Sequence, residues 1–285
     1  MTRNWKQYTQ NLIKRGEIYI NPVFLKSWIE EIKEMNRNKL GKPYLYPNSM
    51  IEYLAILHCK GFDFRSLQGI LQVLSKKLIN FPVICYTQIQ RRISKLKIIF
   101  NTNSNNVGID GSGFKVNNYG DWIRKKWNVQ RGWVKVIIMG DVNGKIVDIR
   151  VGSEKLSELS SARGMLRKNK VKKVYLDGLH DSRKTFNLCD KLNIEPIIKI
   201  KKGSTTKSKS SPLRRKCVIE FQKLGYEKWS KDKQYGLRWP ATEGIFSAVK
   251  RIFGEELRCR KKKNMYKEAK RKFWAYNKLL ELGLT

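Results

Sequence analysis

The spacing of apolar side chains changes once along the chain, and this change limits the fold more than any other feature of the sequence. In the first third, apolar residues recur at intervals of three and four, which is typical of helices. The predicted helices cover 24–36, 49–59, 64–77 and 88–97. Asn and Ser then fill 101–106, where their side chains compete for backbone hydrogen bonds and disfavour regular structure. We therefore expect a helical domain over 1–104 and a second domain over 105–285.

Beyond this linker the apolar period becomes two residues, as in strands. The predicted strands cover 107–114, 133–141, 145–151, 173–177 and 194–200, and the predicted helices between the later strands cover 157–168 and 182–192. Three strands in a meander, followed by alternating helices and strands, describe an α/β domain with a mixed sheet flanked by helices. This order of elements matches the ribonuclease H-like fold.

The charge of the chain points to its partner. Lys and Arg number 60 against 24 Asp and Glu, a net charge of +36, while 41% of the residues are apolar, too many for a disordered basic tail. So many like charges repel one another on a folded surface, which favours a polyanionic partner, nucleic acid ahead of an anionic membrane surface. The sequence contains no stretch of about 18 uncharged apolar residues, so no transmembrane span is expected.

The N-terminal residues, the cysteines and the histidines limit the location of the protein and the chemistry that it can use. Residues 1–16 lack the apolar core of a signal peptide, so we expect a cytoplasmic protein associated with the nucleoid. The 5 cysteines are widely spaced, unlike those of a disulfide framework or a zinc site, and only 2 histidines occur. Any catalysis must then depend on carboxylates.

Two basic segments are candidates for DNA contact. The helix predicted at 88–97 starts with a capping-box pattern at 87–90 and follows the helix at 64–77, which is the outline of a helix-turn-helix. Its outward residues are Gln88, Arg91, Arg92 and Lys95. The second segment is a basic insertion over about 201–234, which includes Arg214 and Arg215 and begins with a loop that we expect to be mobile. A helical bundle and a solvated surface are the respective alternatives.

Three carboxylates stand where catalytic groups are expected. Asp110 and Asp177 each end or interrupt a short apolar strand and precede a glycine, through which a ligand could approach closely. Glu243 begins a predicted helix that ends near residue 253, with Thr242 as its N-cap and Lys250 two turns further along the same face. A turn-capping role for each Asp, and a helix-dipole role for the Glu, remain the alternatives.

These motifs resemble those of DDE transposases of prokaryotic insertion sequences, in the type-five branch of the type-four/type-five superfamily. The segments 109–114, 175–182 and 235–255 resemble the regions that carry the first catalytic Asp, the second catalytic Asp and the catalytic Glu. The segments 5–16, 67–69 and 86–92 resemble that family's N-terminal region, so the resemblance spans essentially the whole chain.

The resemblance implies a metal-dependent mechanism. Asp110, Asp177 and Glu243 are then the catalytic and metal-binding residues, holding two Mg²⁺ ions, with Mn²⁺ as the alternative. The DNA-binding residues implied in the Glu region are Tyr235, Arg238, Lys250 and Arg251. The usual signature has three residues between Arg and Glu, whereas four separate Arg238 from Glu243. His180 stands where the family commonly has Tyr, and we interpret it as a turn residue rather than a ligand.

The implied function is that of an insertion-sequence transposase. Such an enzyme binds the terminal inverted repeats of the transposon, cuts the DNA and joins the ends to target DNA. The expected partners are therefore double-stranded DNA and a second copy of the chain, in a homodimer that pairs the two ends. A ribonuclease H-like nuclease that cuts without joining, an inactive transposase-derived DNA-binding protein and a basic RNA-binding protein are the alternatives.

Overall fold

The computed structural model describes residues 4–19, 23–77, 81–100, 104–116 and 133–282. The chain divides into two compact units. The first unit comprises Met1–Ile99, Ile252–Gly254 and Lys270–Thr285, and the second comprises Phe100–Arg251 and Glu255–Ala269. Residues 101–103 of the predicted linker and 78–80 of the predicted helix-turn-helix connection lie outside the described residues.

The first unit is helical. Its helices are α1 (Trp5–Ile18), α2 (Trp28–Asn36), α3 (Asn48–Lys60), α4 (Phe64–Lys77) and α5 (Tyr86–Lys95), with a 3₁₀ turn at Val23–Leu25. Helix α3 is buried on most sides, and α4 and α5 present Leu67, Leu71, Ile89 and Ile93 to the core. The helical spacing of these apolar residues is the pattern from which α4 and α5 were predicted.

The start of α5 differs from the prediction. The helix begins at Tyr86, so Thr87 lies inside it and the capping box predicted at 87–90 is wrong. The backbone N–H of Tyr86 donates instead to Oε1 of Gln68 in α4, at 2.8 Å. A neighbouring helix thus supplies an acceptor that local sequence could not reveal.

The second unit is built on one mixed sheet. Its strands are β1 (Asn106–Val116), β2 (Trp133–Asp141), β3 (Ile146–Ser153), β4 (Lys173–Leu176), β5 (Glu195–Ile198) and the short β6 (Glu256–Leu257). The strand order is β3-β2-β1-β4-β5, and β6 pairs with β1. The first three strands are antiparallel, whereas β4 and β5 run parallel to β1. This is the meander followed by crossovers that the sequence predicted, and the fold is ribonuclease H-like.

Helices flank the sheet and enclose its core. They are α6 (Glu158–Lys168), α7 (Arg183–Lys191), α8 (Pro212–Asp232), α9 (Arg238–Ala241) and α10 (Glu243–Phe253), followed by α11 (Lys262–Glu281), whose residues from Lys270 onward belong to the first unit. Apolar residues of β1, β4, α6 and α7 contribute to one cluster of the sheet's core, including Val107, Leu166, Val174 and Phe186. Among the described residues, no helix is both long and apolar enough to cross a membrane.

Candidate active site

The register of the sheet brings Asp110 and Asp177 together. Strands β1 and β4 are parallel, with Val107 opposite Val174 and Gly108 opposite Tyr175. Continued by two residues, this register sets Asp110 level with Asp177, which follows the last residue of β4. Two acids far apart in the sequence therefore meet at one edge of adjacent strands.

Asp110 is the more enclosed of the two. Its side chain is 21% exposed, its Oδ1 accepts the Gly111 N–H at 2.8 Å, and its Oδ2 lies 3.5 Å from a guanidinium nitrogen of Arg238. Desolvation by burial, helped by the negative charges of Glu158 and Asp177, raises the pKa of Asp110 against the opposing effects of the hydrogen bond and of Arg238. A bound cation would relieve this unfavourable burial.

Asp177 also caps a turn, as its alternative interpretation predicted. Its Oδ1 accepts the N–H of Leu179 at 3.0 Å, at the start of the 3₁₀ turn Gly178–His180. The side chain nevertheless remains 42% exposed. The Leu179 N–H occupies one lone pair of Oδ1, so both carboxylate oxygens can still accept a ligand.

A pair of glycines lets α9 and the start of α10, which carries Glu243, approach the strands beside Asp110. Gly108 of β1 lies opposite Gly140 of β2. A Cβ on Gly108 would lie 2.9 Å from Cβ of Ala241, and one on Gly140 would lie 2.1 Å from the carbonyl oxygen of Ala241. Because both positions lack a side chain, α9 and the start of α10 pack directly on the sheet.

Arg238 connects Glu243 to Asp110. Its guanidinium bonds to Oε1 of Glu243 and lies beside Oδ2 of Asp110. The Thr242 carbonyl oxygen accepts the Phe246 N–H at 3.0 Å, so Thr242 occupies the predicted N-cap position of α10, and its hydroxyl donates to the carbonyl oxygen of Arg238 at 2.8 Å. The guanidinium of Arg238 thus contacts two of the three predicted carboxylates, although four residues rather than three separate Arg238 from Glu243.

Sequence reasoning missed a fourth carboxylate, Glu158. It lies in the first turn of α6, its Oε2 is 3.2 Å from Nζ of Lys135, and its Oε1 is 3.7 Å from Nε2 of His180. His180 and Lys135 lower the pKa of Glu158 despite its burial. The glycine after Asp110 accommodates this residue, because a Cβ on Gly111 would lie 2.6 Å from Oε2 of Glu158. The only local signal was an acid at a helix start, which occurs widely for dipole reasons.

The other predicted residues of the Glu region lie around these acids. Tyr235 is buried, and its hydroxyl donates to the carbonyl oxygen of Leu176, the residue before Asp177. Burial raises the pKa of Tyr235 to about 12. Nζ of Lys250 lies 3.9 Å from Oε2 of Glu255, and Arg251 is exposed. Tyr235 thus supports the end of β4, whereas Lys250 and Arg251 present charge near the surface.

Asp181 anchors the basic loop after β5 to the rest of the unit. Its carboxylate accepts two hydrogen bonds from Arg214, at 2.7 and 3.1 Å, and others from Ser204 and the Lys201 N–H. The exposed Arg215 donates to the Thr206 carbonyl oxygen at 3.0 Å. The loop is therefore held at several points, which differs from the mobile loop expected, and the insertion continues as α8.

An open depression of about 490 Å³ borders Asp177. Its lining includes Lys199, Lys201, Lys202, Tyr226 and Arg238. The Lys199 ammonium lies 5.0 Å from the centre of the Tyr226 ring. Cationic groups beside an exposed aromatic ring suit a phosphodiester strand with its bases.

The predicted recognition helix α5 belongs to the first unit. Gln88, Arg91 and Lys95 are exposed on it. Arg92 is half-buried, and its guanidinium donates to the Tyr46 carbonyl oxygen at 2.8 Å and to Asn48 at 3.3 Å. Three of the four predicted residues therefore face solvent, and the fourth is bonded within the unit.

The family of the chain follows from its match to known sequences. Residues 106–278 match the family model described as the transposase DDE domain. The chain belongs to this family. A second model with the same description matches residues 13–119. The protein is thus a DDE transposase, a polynucleotidyl transferase and endonuclease, as the sequence motifs predicted.

Two solved structures resemble the transposase at low sequence identity. One, from the cryo-EM structure of the simian T-cell lymphotropic virus intasome in complex with PP2A regulatory subunit B56 gamma, is 14% identical, covers 72% of this chain and 74% of that chain, and has a TM-score of 0.25. The other, the Mos1 transposase catalytic domain with raltegravir and Mg, is 10% identical, covers 78% and 93%, and has a TM-score of 0.24. No curated protein matches the transposase.

Proposed function

We propose that Asp110, Asp177 and Glu243 are the carboxylates with which this transposase cuts DNA at transposon ends and joins the freed 3′ ends to target DNA. One observation carries the proposal: the β1–β4 register and the glycine-lined contact of α9 bring groups from three distant segments to one sheet edge. Asp110 is the most enclosed of these acids, and the Gly111 N–H and Arg238 do not fully offset the cost of its burial, which is typical of a functional carboxylate.

The chemistry of the donor set fits Mg²⁺. Carboxylate oxygens are the ligands that this hard cation prefers, and the burial of Asp110 beside two other acids is unfavourable without a cation. Asp110, Asp177 and Glu243 would hold two Mg²⁺ ions, which supply activation of the attacking oxygen and stabilisation of the leaving oxygen in an in-line displacement.

Basic side chains near the acids would position the DNA. Arg238, Lys250 and Arg251 can contact phosphates as the strand approaches Glu243, and the lysines of the depression beside Asp177 extend this surface. Arg215 adds a phosphate contact from the exposed start of α8. For Tyr235 and Arg214 we propose an indirect part in DNA binding, because their polar groups already hold β4 and the basic loop in place.

The two parts of the chain would have separate tasks on the DNA. Residues 1–104 would recognise the inverted repeats through Gln88, Arg91 and Lys95 of α5, with Arg92 fixing the helix, while residues 105–285 carry out the chemistry. Two ends must be held together during transposition, which calls for a homodimer on the DNA. A DNA substrate of this kind places the enzyme at the nucleoid.

Strand transfer by the purified protein tests the proposal. Labelled DNA carrying the flanking inverted repeats is incubated with a target plasmid and Mg²⁺, or with EDTA. We expect Mg²⁺-dependent cleavage and joining that Asp177→Asn abolishes. Asp190→Asn, which removes an exposed carboxylate from α7, is the matched control and should retain activity.

Other results would replace the proposal. Cleavage without joined products would identify a nuclease. Specific binding of the repeats with no chemistry in wild type or variant would identify an inactive, transposase-derived DNA-binding protein.

A further inference from the structure

A histidine lies beside two of these acids, Glu158 and Asp177. Nε2 of His180 lies 3.7 Å from Oε1 of Glu158 and 4.0 Å from Oδ1 of Asp177. Ligand atoms of these three residues all lie within 4.8 Å of one another, and they form the one such group of three possible metal ligands in the described ranges. The three side chains come from the start of α6 and from the turn after β4.

The imidazole of His180 is buried without a hydrogen bond of ordinary length. Its side chain is 0% exposed, neither Nδ1 nor Nε2 makes a hydrogen bond of ordinary length, and the contact of Nε2 with Oε1 of Glu158 is a long one, at 3.7 Å. Burying a polar group unpaired costs free energy, so structural histidines normally donate at least one ring hydrogen. The turn role predicted for His180 leaves both nitrogens unexplained.

The two distances from His180 fit ligands that share one ion. Two ligand atoms, each about 2.1 Å from an ion and separated by an angle between 90° and 180°, lie roughly 3.0 to 4.2 Å apart. The distances from His180 to the two carboxylates lie in this interval, whereas both are too long for a good hydrogen bond. Lys135 engages Oε2 of Glu158 and leaves Oε1 directed at the histidine.

We propose that Glu158, Asp177 and His180 form a divalent-cation site with one nitrogen ligand, which prefers Mn²⁺ to Mg²⁺. Imidazole suits first-row transition metals, whereas Mg²⁺ favours oxygen ligands alone. The proposal rests on the proposed function, because Asp177 is shared with the catalytic carboxylates. The proposal adds Glu158 and His180 to the metal ligands of the proposed catalytic site, and it makes His180 a determinant of which cation binds.

Pulsed EPR of Mn²⁺ bound to the full-length protein tests for the nitrogen ligand directly. We expect a nitrogen hyperfine coupling that changes when the histidines carry ¹⁵N, and that disappears in His180→Gln. The chain has only one other histidine. His58, whose Nδ1 lies 2.8 Å from the Phe62 carbonyl oxygen, supplies the matched control, since His58→Gln should keep the coupling.

Titration calorimetry adds a second readout. We expect His180→Gln and Glu158→Gln each to weaken Mn²⁺ binding by at least about ten-fold, and His180→Gln to change Mg²⁺ binding by less than about three-fold. Mn²⁺ that binds without nitrogen coupling in the wild type, or that does not bind at all, would overturn the proposal. The wild-type experiment needs no variant to fold, and Mg²⁺-dependent strand transfer measured in parallel shows separately whether the proposed function stands.

Discussion

At the edge of the sheet, the positions of Asp110 and His180 lower the stability of the folded protein. Asp110 is mostly buried near two other acids, and His180 is buried without a hydrogen bond of ordinary length. Each arrangement disfavours the folded state, since charge and polarity are better solvated in water. Groups kept in such surroundings are typical of functional sites, where stability is given up for reactivity.

Asp110→Asn should therefore abolish activity while it raises stability. The substitution removes a desolvated charge next to Glu158 and Asp177, so in EDTA we expect the free energy of unfolding to rise by about 0.5 to 2 kcal/mol. Urea unfolding measures this change, and strand transfer should be lost. A variant less stable than the wild type would show that the ion pair with Arg238 outweighs the cost of burial.

Asp181 is the opposite case, because hydrogen bonds to its carboxylate offset the cost of its burial. Burial tends to raise its pKa, but bonds from Arg214, Lys201 and Ser204 outweigh burial and lower the pKa below its ordinary value of 3.8. The folded state therefore gains stability from the ionised form above about pH 3.8 and loses it as the pH falls through the lower folded pKa.

Asp181→Asn should remove this contribution at neutral pH. Because Arg214 would lose its buried partner, we expect a loss of about 3 kcal/mol in urea unfolding at pH 7, which shrinks as the pH falls below 3.8. Asp190→Asn, on the exposed face of α7, is the control and should change little. Equal unfolding midpoints for Asp181→Asn and wild type at pH 7 would contradict the argument.

At the scale of elements, close contact between helix and sheet positions Glu243, the proposed catalytic glutamate. The α9–α10 junction lies on Gly108 and Gly140, and a built Cβ at Gly140 would also lie 2.3 Å from Cδ1 of Ile245. The obstructing atom at Ala241 belongs to the backbone, so the helix itself must move if a side chain is added. Glu243, at the first residue of α10, would move with it.

Gly140→Ala should lower both stability and activity. Overpacking of this contact should cost about 1 to 3 kcal/mol, and displacement of Glu243 should reduce strand transfer more than ten-fold. Gly164→Ala in α6 is the control, because the nearest atom to its Cβ is 3.8 Å away, in the Arg150 side chain. That substitution should stabilise the protein by about 0.5 to 1 kcal/mol, since alanine favours helix. Wild-type activity in Gly140→Ala would refute the role given to the glycine pair.

At the scale of the whole molecule, we expect the net charge of +36 to govern association with DNA. Neutralising phosphates releases counterions, so affinity falls as salt rises. If about eight phosphates are contacted, log K should fall with log salt at a slope near −7. Fluorescence anisotropy with labelled inverted-repeat DNA from 50 to about 300 mM salt measures the slope. A nearly flat dependence would remove the link between charge and nucleic acid.

The sequence by itself determined most elements of both units and three of the acids, but helices α1 and α8 were not predicted. Apolar spacing is a local property, so strand β2 and helix α4 were predicted to the residue, and Asp110 and Asp177 were recognisable beside short apolar strands. Motif spacing then identified the family, which the family match confirmed.

Only the tertiary structure decided which distant groups meet. Glu158 reaches Asp177 and His180 through the packing of α6 against the sheet, and no local pattern encodes that convergence, whereas the turn after β4 sets His180 beside Asp177. Arg92 and Arg214 were predicted from charge to face DNA, yet both are bonded to groups supplied by other segments. A side chain's partners depend on which segments pack around it, and periodicity and composition do not carry that information.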